Sequence, residues 1–75
     1  MNTEQVVELR EQLIERCPDF TDIQVEHLGN FRVKVHAVAH DRHTSLVVVC
    51  LSEEHTPTRW AVRIANQLHS MLVAS

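Results

Sequence analysis

"FRVKVHAVA", residues 31–39, alternates apolar and polar side chains almost without a break. Phe31, Val33, Val35, Ala37 and Ala39 point one way; Arg32, Lys34 and His36 point the other, with Val38 as the exception. A period of two marks a strand with one face buried and one face wet. The buried face is expected to be the Phe31 side.

The preceding strand, residues 22–27, must agree with that choice. A two-residue loop of Gly29 and Asn30 would turn Asp22, Gln24 and Glu26 toward the core. A three-residue loop, Leu28-Gly29-Asn30, avoids this and predicts Val25 opposite Val33, Ile23 opposite Val35 and Glu26 opposite Arg32. The third strand, residues 45–51, reads "SLVVVCL" and is apolar on both faces. One half of it covers the core. The other half, either Val47 and Val49 or Leu46 and Val48, falls on the outer face near Val38. Such a strand at a sheet edge invites a covering partner.

Helices flank the strands. Residues 2–17 carry Val6, Leu9, Leu13 and Cys17 at helical spacing, with Val7 and Ile14 widening the stripe. Asn2 or Thr3 caps this segment and Pro18 stops it. Arg10 falls inside the stripe, where its stem packs and its head reaches the rim. Residues 56–75 form the second helix, capped by Thr56 with Pro57 in the first turn. Trp60, Ile64, Leu68 and Met71 make its apolar stripe, joined by Ala61, Ala65 and Leu72. No helical segment separates the strands, so no parallel crossover is available. The expected fold is α+β in the order α-β-β-β-α: an antiparallel three-stranded meander with both helices on one face.

The totals narrow the function. Seventy-five residues make one domain spanning 1–75, and a net charge of −3 disfavours a nonspecific grip on nucleic acid. The N-terminus lacks a signal-peptide pattern and the longest apolar run is too short for a bilayer span. A cytoplasmic protein without membrane attachment is therefore expected, with Cys17 and Cys50 as inert core thiols. The single glycine leaves no phosphate-binding loop, and no nucleophile has an evident base, so no enzymatic activity and no cofactor are expected. His36 and His40 lie on one side of a strand, and His43 follows across the turn with Asp41 between, but four residues span roughly 13 Å, too far for His36 and His40 to share an ion. No metal is expected. Six histidines make the net charge responsive to mild acid.

The element order resembles the double-stranded RNA-binding domain, and "AVRIANQLHSML", residues 61–72, is similar to the Ala/Leu pattern of that family's last helix. The resemblance implies the αβββα fold. It departs from the family where RNA is touched. A longer first loop with a Gly-Pro-x-His-type motif is replaced by Leu28-Gly29-Asn30. The glycine-rich approach to the last helix is absent. The basic cluster opening that helix is replaced by "SEEHTPTRW", with Glu53, Glu54 and only Arg59.

The functional expectation is a small protein-interaction or regulatory chain, an adaptor or inhibitor of the kind phages and plasmids carry. Its partner is itself, another protein, or both, and its interface is Val38, Leu46, Val47, Val48 and Val49. The alternative is an RNA- or DNA-binding module using Arg32, Lys34, His36, His40 and Arg42.

Overall fold

A computed structural model describes residues 2–50 and 56–74. Helix α1 (Thr3–Arg16) precedes strands β1 (Asp22–Gly29), β2 (Arg32–Ala39) and β3 (Arg42–Val49), and helix α2 (Pro57–Ala74) follows. The sheet order is β1-β2-β3 with antiparallel neighbours. This is the α+β architecture that the alternation and the helical stripes imply.

Local chemistry fixes the helix ends. Asn2 is the N-cap of α1: its side-chain oxygen accepts from the Gln5 N–H at 2.9 Å, and the Gln5 side chain accepts from the Asn2 N–H at 2.9 Å. This reciprocal box satisfies two otherwise orphaned donors. At the other end the Cys17 N–H bonds the Leu13 carbonyl, and Pro18 follows. Thr56 caps α2 by accepting from the Arg59 N–H at 3.4 Å.

The hairpins differ from expectation in their turns. Both close on two residues, Asn30-Phe31 and His40-Asp41, all four at positive φ. Turns of that hand match the twist of the flanking strands. The β1–β2 register pairs Val25 with Val35, Ile23 with Ala37 and Glu26 with Lys34, two residues away from the expected pairing. A shift of two keeps every side chain on its face, so the face assignment stands although the loop was misread. Leu28 bulges out between His27 and Gly29, and Gly29 takes φ +83°, which glycine tolerates best. Phe31, expected in the core, sits instead in the turn and is exposed. The third strand begins at Arg42 rather than Ser45; its expected last residue, Leu51, lies outside the described residues, as do Glu53 and Glu54.

One core joins the sheet to the helices. Ile23, Val33, Val35, Ala37 and Val48 meet Leu9, Leu13 and Cys17 of the α1 segment and Trp60, Ala61, Ile64, Ala65 and Leu68 of α2. On the opposite sheet face no described side chain is buried, so both helices cover one face. Their stripes are narrower than expected. Val7 and Ile14 are exposed on α1, and Met71 is exposed on α2.

Candidate interaction face: the open sheet surface and the β3 edge

The open sheet face can be laid out as three columns from the pairing. β1 contributes Asp22, Gln24 and Glu26. β2 contributes Arg32, Lys34, His36 and Val38, and β3 contributes Val49, Val47, Ser45 and His43. Across the strands, Glu26, Lys34 and Val47 form one row. Gln24, His36 and Ser45 form the next; Asp22, Val38 and His43 form a third.

This layout sorts the expected site residues. Of the two alternatives on β3, Val47 and Val49 face outward, at 55% and 50% exposure. Leu46 is half-buried and Val48 is buried, because both pair with core positions Val35 and Val33. Val38 does not join the outer valines: the His36–Ser45 row lies between Val38 and Val47. The apolar surface is therefore a short strip along β3, flanked by Lys34 and Arg32.

The basic residues divide similarly. Arg32, Lys34 and His36 share the open face. His40 stands in the second turn. Arg42 pairs with Ala39, a core-side position, and so opens toward the helix side of the sheet. Lys34 stands opposite Glu26, which offsets part of the basic column's field.

The edges carry a feature that the sequence reading missed. In an antiparallel ladder closed by a two-residue turn, bonded and non-bonded pairs alternate away from the turn. Ala39 and Arg42 flank the second turn. His43, Ser45, Val47 and Val49 therefore aim their main-chain groups away from β2, at the free edge. The Val49 carbonyl accepts a hydrogen bond from the Arg63 guanidinium of α2. On the opposite edge, the Ile23 carbonyl accepts from Arg10 Nε of α1 at 3.0 Å. Each helix thus sends one arginine to an outward carbonyl of an edge strand. Arg10 had signalled itself as a charge within an apolar stripe; Arg63 had no such signal.

Two histidines meet on the open face. His36 Nε2 lies 3.3 Å from His43 Nδ1, with ring centroids 5.4 Å apart, and His36 Nδ1 lies 2.8 Å from Ser45 Oγ. The sequence placed His43 beyond a turn; the earlier start of β3 sets it diagonally across from His36. Among the described residues no group of three or more His, Cys, Asp or Glu converges on one point.

The two thiols are free and buried. Burial pushes both upward in pKa; Asp19 adds to the effect at Cys17, while Arg63 opposes it at Cys50. Such thiols are poor nucleophiles near neutral pH. No described helix is long and apolar enough to cross a membrane.

No protein-family model, curated protein or solved structure matches the chain.

Proposed function

We propose that this chain works by binding protein, and that it does so as a homodimer joined along β3. The carrying observation is an edge strand whose free side no other described strand pairs, with two exposed valines, Val47 and Val49, beside it. A groove lined by Leu46, Val47 and Met71, with Gln67 and Ser70, runs along the same edge against α2. Apolar side chains thus flank the edge on both sides, while the main-chain groups of His43, Ser45 and Val47 face outward. A second β3, antiparallel about a two-fold axis, supplies partners for those groups and gives Val47 a cross-strand neighbour. An axis at Ser45 pairs Ser45 with its own copy and His43 with Val47 of the second copy. It leaves the Val49–Arg63 bond outside the paired stretch. A regulator, adaptor or inhibitor with reduced thiols in the cytoplasm fits this reading.

Sedimentation velocity tests it. The chain should sediment as a dimer, and Val47→Glu should leave a folded monomer, because that side chain already faces solvent. A wild-type monomer at millimolar concentration sinks the proposal.

A second reading has its own observation: Arg32 and Lys34 stand side by side on the open face. Nucleic-acid binding through them would fall with rising salt and vanish in Arg32→Glu/Lys34→Glu. The facing Glu26 and the net charge of −3 weigh against it.

A further inference from the structure

The His36–His43 pair has a geometry that the surrounding sheet does not require. Two side chains on adjacent strands, diagonal to one another, bring ring nitrogens within 3.3 Å. A shared proton is one way to satisfy two facing nitrogens at this distance. A tetrahedral zinc ion offers another. With Zn–N bonds of about 2.0–2.1 Å it holds two nitrogens roughly 3.3–3.4 Å apart. Square-planar copper(II), with similar bonds at right angles, holds neighbouring nitrogens roughly 2.8 Å apart.

We propose that His36 Nε2 and His43 Nδ1 form a two-nitrogen chelate for Zn2+ on the open sheet face. Ser45 supplies the orienting contact. When His36 donates from Nδ1 to the Ser45 hydroxyl oxygen, its Nε2 keeps a free lone pair aimed at the site. His43 binds in the tautomer protonated on Nε2. Ligand tautomers are commonly set this way, by the hydrogen bond that the other ring nitrogen makes. The two remaining positions of a tetrahedron open to solvent, because His43 and Ser45 are exposed and His36 is only half-buried. Water or a donor from a docked partner fills them. Lys34, next to His36 along its face of β2, and Arg42, next to His43 in the chain, weaken the hold on a dication. A loosely held, exchangeable ion is therefore the expected occupant.

The test is a titration of the reduced full chain with zinc chloride, followed by calorimetry and by long-range proton–nitrogen spectra of the imidazoles. One ion per chain is expected, with His36 Nε2 and His43 Nδ1 as the coordinated nitrogens. His36→Ala and His43→Ala should each weaken binding at least tenfold. Ser45→Ala should weaken it by about tenfold, the lower end of the effect of losing an orienting partner. His27→Ala, on β1 away from the pair, should leave it unchanged. All three substituted site residues are at least partly exposed, so the variants should fold. Absence of saturable binding overturns the proposal. So does binding that survives both histidine substitutions, or spectra that place the ion on other nitrogens.

Discussion

Arg10 Nε donates to the carbonyl of Ile23 across 3.0 Å, tying α1 to the outer edge of β1. Arg63 makes the equivalent bond from α2 to Val49 at the far edge of β3. An edge carbonyl engaged by its own chain is unavailable to a foreign strand. The two arginines thus limit where a further strand can add at each edge.

Replacing Arg10 by Met keeps an apolar stem and removes the donor. The partly buried, charge-assisted bond should contribute about 1.5–3 kcal/mol, the range for hydrogen bonds to charged groups. Urea denaturation of Arg10→Met should show a lower midpoint with an unchanged slope. An unaltered midpoint would mean that the bond adds nothing. Arg63→Met should also lengthen the open edge by one carbonyl and promote concentration-dependent association.

Trp60 is fully buried, and its indole Nε1 has no hydrogen-bond partner among the described residues. An orphaned donor of this kind costs about 1–3 kcal/mol. Trp60→Phe removes that penalty while giving up one ring's worth of packing. The two should nearly cancel, leaving a net change within about 1 kcal/mol in either direction, well below the usual cost of a large core truncation. Thermal unfolding followed by circular dichroism will measure it.

Phe31 combines an exposed ring with a φ of +61°, an outlier for a bulky residue. Phe31→Gly creates the Asn-Gly sequence that such turns favour and should raise stability by about 1 kcal/mol. A destabilised Phe31→Gly variant would show that the ring contributes packing worth more than the backbone strain. A more stable one would mark Phe31 as kept for something other than folding.

The thiols give a pH dependence with a definite sign. Burial, the largest cause at both sites, raises Cys17 and Cys50 above the ordinary value of 9.0 in the folded chain. Below that value thiols are protonated in both states, and stability is unaffected by them. As pH climbs past it, the unfolded chain ionises first and the folded state loses ground until the raised folded values are passed. Denaturation midpoints should fall above pH 9.0 in the wild type and fall less in Cys17→Ala/Cys50→Ala. At neutral pH, a thiol reagent should label the wild type only as fast as it unfolds.

The alternation of Val33, Val35, Ala37 and Ala39 made the core face of β2 legible, and helical spacing did the same for Leu9, Leu13, Trp60, Ile64 and Leu68. Turn chemistry was less readable. Gly29 and Asn30 resemble a turn centre, but the turn lies one residue later, on Asn30 and Phe31, and Gly29 serves the bulge. His40-Asp41 carries no glycine at all, so the second hairpin was drawn too wide and β3 began too late. That delay hid the row holding His36 and Ser45, and with it the contact to His43. The split of the valines into Val47 and Val49 outside and Val48 inside depended on the same register.

The two tight hairpins also favour early pairing of the strands. Each strand finds its neighbour across two residues, so little chain entropy is lost in closing either loop. The helices come from opposite ends of the chain and still touch, as Gln12 Nε2 shows by donating to Thr58 Oγ1 at 3.3 Å. The ribbon of strands is therefore expected to pair early, with the helices packing onto it late. Substitutions at Leu13 or Ile64 should therefore speed unfolding more than they slow refolding.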